Sequence, residues 1–408
     1  MTVSFGESIK TEIYGTSHGP CIGVRIEGLP TGKIIDTDRL QAFLDRRRPG
    51  RNAWSTPRKE ADQPVFLSGV EHIICDPDET KRLSDNTECK NLTDTGILYT
   101  TGETLVAEIR NTNPRPQDYD DTAAGPRPAH ADYPAWVKYG RIESGGGPFS
   151  ARLTAALCIA GGIFLQWLED NRISIAAHIS SIGFIEDVPF DPVAGNVFVI
   201  DEEFPVIDQR QGEAMKQLIA ETKASGDSIG GTVECMICGI PAGVGSPLFG
   251  SIESRLCQSV FAVPAVKGIE FGAGFGVSRM RGSENNDPFE VVLCDAMTDA
   301  AADGGSRKTA GSPDAVSAAD SRIVTKTNHH GGILGGLSSG MPIIFRTAMK
   351  PTPSIAQPQQ SVDLVSMTPT TLEVKGRHDP CIVPRAVPCI EAAAALAIGD
   401  LLLEEGKL

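Results

Sequence analysis

Residues 125 to 152 constrain this chain more than any other stretch. They read Gly-Pro-Arg-Pro-Ala-His-Ala-Asp-Tyr from Gly125, then Tyr139-Gly140-Arg141, then Ser144-Gly-Gly-Gly-Pro-Phe-Ser-Ala-Arg152. Prolines fix φ and stiffen the loop around Arg127 and His130, while consecutive glycines let backbone N–H groups approach a ligand closely. The glycines lead into a helix expected to carry Ser150 and Arg152 in its first turn. A helix N-terminus adds a partial positive charge beside its free N–H groups. Such a chain builds a pocket for an anion next to a proton donor.

Composition narrows what that anion can be. The net charge is −15, which argues against a nucleic-acid partner, since phosphate backbones demand a basic face. Arginines gathered beside glycine and proline in an acidic chain point instead to a small anionic ligand. The apolar run Ala155–Leu168 is shorter than the roughly 20 residues of a membrane span, and Met1-Thr-Val-Ser-Phe-Gly-Glu has no signal-peptide pattern. The expectation is a soluble, cytoplasmic protein without a membrane partner. The ten cysteines show no framework spacing, and the lone CxxC, Cys235-Met-Ile-Cys238, falls in a strand where residues three apart point to opposite faces. Structural thiols and no metal site are expected. Gly268–Gly276 lacks the dinucleotide fingerprint and no Walker lysine motif is present, which disfavours NTP-driven chemistry.

Along the chain, Ser17 and His18 stand between glycines in Gly15-Thr-Ser-His-Gly19, ahead of an alternating strand over 22–30. Asp36 to Arg48 has helical spacing, with Leu40, Phe43 and Leu44 as its stripe and Asp36 or Thr37 as N-cap. It ends in Asp45-Arg-Arg-Arg-Pro-Gly50, which reads equally as a solvated helix end or as a phosphate site. Strands are expected at 64–70, 104–109, 173–185, 230–240 and 342–346. Helices are expected at about 150–171, with Leu153, Leu157, Ala160, Phe164 and Leu168 on one face, and at 212–224, 252–261 and 387–404. Polar stretches 76–95 and 295–321 read as surface insertions in a single domain spanning 1–408.

Taken together, the motifs resemble the chorismate synthase family from roughly residue 5 to residue 403. They are Gly-Thr-Ser-His-Gly, Asp-Arg-Arg-Arg-Pro-Gly, Arg-Pro-Ala-His-Ala-Asp-Tyr, Gly-Gly-Gly-x-x-Ser-Ala-Arg, Asn328-His-His-Gly-Gly-Ile-Leu-Gly-Gly-Leu-Ser-Ser-Gly340, Lys350-Pro-Thr-Pro-Ser354 and Gly376-Arg-His-Asp-Pro-Cys381. The resemblance implies an α+β fold, a β-α-β sandwich with helices between two antiparallel sheets, assembled as a homotetramer. It implies an anti-1,4 elimination of phosphate from 5-enolpyruvylshikimate 3-phosphate with reduced FMN and no net redox change, NADPH serving as an indirect reductant.

By the same match, Ser17, Arg47, Arg127, Ser150, Arg152 and Arg377 line the substrate site. His18 resembles the donor to the departing phosphate, and His130 the histidine that protonates the flavin. Asp379 stands where the family places the carboxylate that works as the C6 proton leaves. FMN contacts are implied for Ser150, Ala265, His330, Gly331, Lys350, Thr352, Ser354 and Arg377. This sequence departs from the commoner pattern at Pro148-Phe149, which replaces an Arg-Ser pair, and at Ala53, Thr16 and Ala129. The substitution after the triple glycine motivates a second hypothesis, an FMN-binding protein that has lost the lyase step.

Overall fold

The structure is a computed structural model that describes residues 4–50, 54, 60–72, 96–111, 125–195, 203–293, 321–374 and 379–408. Stretch 76–95 lies outside these residues, as do Ala53, Arg377 and all of 295–321 except Ser321.

Two five-stranded sheets, antiparallel throughout, form the outer layers. The first has the order β1 (Ser4–Phe5), β2 (Lys10–Gly15), β3 (Cys21–Glu27), β8 (Leu105–Arg110), β5 (Pro64–Ser68). Its register sets Ile22 against Ile109, Val24 against Ala107 and Ile26 against Leu105, and all six are buried. Alternate residues of a strand share a face, so these pairs form one apolar surface, while Arg25 and Glu27 on the other face stay exposed. Three short strands, β4 (Ile34–Asp36), β7 (Ile97–Thr100) and β6 (Val70–His72), form a separate small sheet.

The second sheet runs β10 (Ile185–Glu186), β9 (Ser174–Ile182), β11 (Gly231–Cys238), β17 (Ile343–Met349), β12 (Val266–Phe271). Its inner row crosses four strands in register, Ala177–Cys235–Phe345–Phe271. The two cysteines of the CxxC part as expected: Cys235 joins the main core, and Cys238 packs beside Phe190, Met236 and Ile344 on the other face. Between β12 and β17 run the ribbons β13 (Phe289–Leu293) with β14 (Ser321–Thr325) and β15 (Ile333–Leu334) with β16 (Leu337–Ser338). Ribbon β18 (Gln359–Asp363) with β19 (Thr368–Leu372) follows β17.

The longer helices are α1 (Thr37–Arg47), α2 (Asp132–Tyr139), α3 (Thr154–Asp170), α4 (Gln209–Ala224), α5 (Ile252–Val260) and α6 (Val383–Glu404), and of these α3 and α6 fill the space between the sheets. Helix α3 packs on β3 and β8 of the first sheet and on α6, which lies on β9 and β11 of the second. The expected β-α-β sandwich is therefore present. Asp36 caps α1 as expected, its Oδ1 accepting from the N–H groups of Asp38 and Arg39.

Three boundaries and one pattern differ from the sequence reading. Helix α3 starts at Thr154, because Ser150 instead caps a separate 3-10 turn over Ala151–Leu153. Helix α6 starts at Val383, with Pro384 tolerated in its first turn, and α4 starts at Gln209 under the Asp208 cap. The single apolar stripe assigned to α3 was too narrow: every residue from Thr154 to Phe164 is buried, because a helix with a sheet on one side and a helix on another has almost no wet face. Helices α3 (with its preceding turn) and α6 are long and apolar enough to cross a bilayer on composition, yet both are buried inside the sandwich.

Two features bind the layers. At Gly161 an added Cβ would lie 2.3 Å from Ala392 Cα, so α3 and α6 meet backbone to backbone. Asp400, fully buried on α6, accepts from the backbone N–H groups of Glu7 (2.9 Å), Ser8 (2.9 Å) and Ile9 (3.0 Å) and from Arg255 Nη1 (3.0 Å).

Candidate active site

The triple glycine forms the floor of the site. Gly145, Gly146 and Gly147 all have positive φ, at 62°, 85° and 51°, which favours residues without a Cβ. The lack of side chains also makes room for two imidazoles. A Cβ on Gly145 would sit 2.1 Å from His18 Cε1, and one on Gly146 would sit 3.0 Å from both Cε1 and Nε2 of His130. The two histidines, 112 residues apart in the sequence, thus flank one turn. Ser17 is buried beside them, donating its hydroxyl to Gly145 O (3.3 Å) and lying 3.1 Å from His18 Nδ1.

Arg127 and His130 share one carboxylate. Asp132, the first residue of α2, accepts from Arg127 N (3.0 Å), Nε (2.7 Å) and Nη2 (2.9 Å), and its Oδ1 lies 2.6 Å from His130 Nδ1. Burial would raise the Asp132 carboxyl, but the hydrogen bonds from Arg127 and His130 outweigh it and hold it well below the usual carboxylate range. Arg127 Nη1 donates to Ser354 Oγ at 3.2 Å, which brings the 350–354 turn to the same place. The chain reaches His130 through Ala129 at φ 57°, a left-handed conformation that glycine adopts at less cost.

A second cluster lies deeper. Arg47, at the end of α1, donates through Nη1 to Asp62 Oδ2 (2.5 Å), through Nε to Thr154 Oγ1 (3.1 Å) and through Nη2 to Ala151 O (3.2 Å). Arg152 pairs with the other oxygen of Asp62 and with Glu60 Oε2 (3.0 Å), and donates to Asn111 Oδ1 (3.2 Å). Burial acts to raise the Asp62 carboxyl, but Arg47 and then Arg152 keep it below the aspartate norm. The arginines are therefore not a bare positive surface. Each reaches the site already paired, with carboxylates that the sequence reading did not single out. Arg152 Nη2 nevertheless meets no hydrogen-bond partner among the described residues, although it is buried, an arrangement that suits an incoming anion. Ser150 Oγ accepts from Arg152 N at 3.3 Å.

Asp379 joins this cluster through Arg385, whose Nη1 donates to Asp379 Oδ2 (2.6 Å) and whose Nε donates to Arg47 O (3.2 Å). Arg377 lies outside the described residues.

The residues expected to hold a flavin divide into two groups. Lys350 N donates to Ala265 O at 2.9 Å, and the two residues sit together at one end of the β12–β17 pair. Burial, and then Lys267, lowers the Lys350 amine from its ordinary value. In the same turn Thr352 Oγ1 is buried without a partner among the described residues, so the turn has polar capacity for a phosphate or a ring edge. His330 and Gly331 stand at the opposite end, where Ile344 N donates to Gly331 O. Lys350 follows Ile344 by six residue steps along β17 and its end, roughly 20 Å. His330 is fixed there by Asp287, which lies 2.7 Å from His330 Nδ1 and accepts from the N–H groups of His329 and His330. Against the effect of burial, these bonds lower the Asp287 carboxyl to about 2.

Asp62, Asp132, Asp287 and Arg385, which hold expected site residues in place, are not singled out by the sequence reading. Asp132 stood inside a quoted motif, and its spacing of two from His130 was a usable signal. Asp62 is 15 residues from Arg47 and 90 from Arg152, and nothing local announces it.

A family model described as chorismate synthase matches residues 9–77 and 79–403. A chorismate synthase of Lancefieldella parvula is 42% identical, covering 98% of this chain and 96% of its own length. One of Thermococcus kodakarensis is 36% identical, covering 98% and 97%. A crystal structure of chorismate synthase is similar in fold, with a TM-score of 0.64 at 23% identity over 98% of this chain and 93% of that one.

Proposed function

Because the chain belongs to the chorismate synthase family of carbon–oxygen lyases, we propose that it converts 5-enolpyruvylshikimate 3-phosphate to chorismate and phosphate by anti-1,4 elimination. The observation that carries this reading is the pair of histidines on one glycine turn, with buried Arg47, Arg127 and Arg152 beside them. The allylic C–O bond breaks with its electrons going to the departing phosphate, a proton leaves C6, and the electrons of that C–H bond and of the existing ring double bond rearrange into two conjugated double bonds. Arg47, Arg127 and Arg152, with Arg377, neutralise the phosphate through charge-assisted contacts. Ser17 and Ser150 orient the substrate. His18 gives a proton to the leaving phosphate, and His130 holds one at the pyrimidine edge of the cofactor. Asp379, steadied by Arg385, receives the C6 proton.

Reduced FMN fits the donor set of Ser150, Ala265, Lys350, Thr352 and Ser354, with Arg377 as a further expected contact, whereas His330 and Gly331, at the far end of β17, are not brought to this group within the chain. It supplies electron density that stabilises charge as the C–O bond breaks. NADPH is the expected indirect reductant. We read residues 1–408 as one cytoplasmic domain that acts on a small molecule and engages neither nucleic acid nor a membrane. The family resemblance implies a homotetramer, and exposed apolar side chains such as Phe249 (96% exposed) and Phe275 (83% exposed) offer surface for contact between copies.

The test is anaerobic. Purified protein, photoreduced FMN and 5-enolpyruvylshikimate 3-phosphate are mixed, and chorismate absorbance and released phosphate are followed together. Equal yields of both are expected. FMN binding without either product would overturn the lyase reading and favour a flavin-binding protein altered at Pro148-Phe149.

A further inference from the structure

The geometry points to Asp132 as the positioning residue for His130: its buried carboxylate holds the imidazole as the Nδ1–H tautomer, so that Nε2, facing the glycine turn, is the atom that exchanges a proton. Only the use made of that proton rests on the lyase reading. The tautomer itself does not.

Three observations fix it. First, an ionised carboxylate can only accept hydrogen bonds, and Asp132 is held ionised between Arg127 and the first turn of α2, where the helix dipole also favours a negative charge. The ring atom 2.6 Å from Oδ1 is Nδ1, so Nδ1 carries the hydrogen. Second, Asp132 has little freedom to turn. Its Oδ2 accepts from Arg127 N and Nε, and its Oδ1 from Arg127 Nη2 as well as His130, and the side chain is buried. Third, the opposite edge of the ring faces the floor of the site, where Nε2 stands 3.0 Å from the position a Cβ on Gly146 would take.

Arg127 does not compete for either nitrogen. Its Nη2 lies 3.1 Å from Nδ1 and 3.3 Å from Nε2. An in-plane approach equidistant from both would run into Cε1, so the guanidinium lies over the ring face. Asp132 is bonded to both groups and holds them in this arrangement. One carboxylate thus sets the hydrogen on His130 and holds the cation above it.

The experiment uses 15N-labelled full chain without flavin or substrate, in mildly alkaline buffer. His130 resonances are assigned by their loss in His130→Gln, and long-range proton–nitrogen correlations report which ring nitrogen carries hydrogen. Wild-type His130 is expected to be protonated at Nδ1 and bare at Nε2. Asp132→Asn can turn an N–H donor toward Nδ1, and is expected to yield the Nε2–H tautomer or a mixture, as in other carboxylate–histidine pairs. In the lyase assay that variant should lose at least ~10-fold in kcat with KM changed less than about 3-fold. A wild-type imidazole protonated at Nε2 overturns the proposal, and this arm needs no variant to fold. So does an Asp132→Asn protein that keeps the Nδ1–H form, or one that loses only substrate affinity. If the tautomer is as expected but wild type releases no phosphate, the lyase reading fails and the role of Asp132 stands.

Discussion

Three adjacent arginines at the end of α1 meet three different partners. Arg46 makes a two-pronged pair with Glu391 on α6, at 2.7 and 2.9 Å, and Glu391 also accepts from Ala177 N of β9. Arg47 turns into the site toward Asp62, and Arg48 reaches Asp45 near the surface at 3.2 Å. The helix-end reading fits Arg48, and Arg47 is the residue of the run that a phosphate site would use. At this scale the assignments are tested by His18→Ala and His130→Ala, each expected to slow turnover by at least ~10-fold while circular dichroism stays that of wild type. Wild-type rates in both would remove them from the mechanism. The identities of these histidines were legible because glycine and proline bracket them. Their meeting on one turn was not, since Gly145–Gly147 brings together residues from distant parts of the chain. Asp62 was illegible for the same reason: its value lies in where Arg47 and Arg152 arrive.

At the scale of elements, α1 and its Asp36 cap were readable because capping and amphipathic spacing are local. The width of the buried surface on α3 was not, because it depends on how many layers later close around it. The second sheet contains a tie that no periodicity announces. His178 on β9 lies directly opposite Glu234 on β11, with Nε2 3.0 Å from Glu234 and Nδ1 2.9 Å from Asp187. Both nitrogens face carboxylates, so the charged imidazolium fits best. Burial alone would lower this histidine, but its bonds to Asp187 and Glu234 raise it above its ordinary value. A histidine raised in the folded state stabilises fully below its unfolded value of about 6.5 and loses that contribution as pH rises through the higher folded value. The urea midpoint of wild type should therefore fall as pH is raised from about 6 to about 9, and His178→Gln should flatten that fall. Identical pH slopes in the two proteins would show that the tie is not ionised.

Across the whole molecule, the sandwich depends on how closely its helical filling packs. Gly161→Ala would place a methyl group against the backbone of Ala392, and is expected to destabilise the fold by about 1–3 kcal/mol, measured by urea denaturation. An unchanged midpoint would mean that α3 and α6 can part without cost. The site residues come from both outer layers and from the helices between them, so slack at this crossing would reach Arg47 and Arg152. The Asp400 clamp bears on how the chain is made. Glu7 and Asp400 are 393 residues apart, so the first strands cannot be fastened until nearly four hundred residues have left the ribosome. At about 5–20 residues per second, that delay is roughly 20–80 s. Through this interval the turn between β1 and β2 lacks its anchor and the inner face of β9 and β11 lacks α6, so a newborn chain of this protein is a natural client for whatever shields apolar surface during translation.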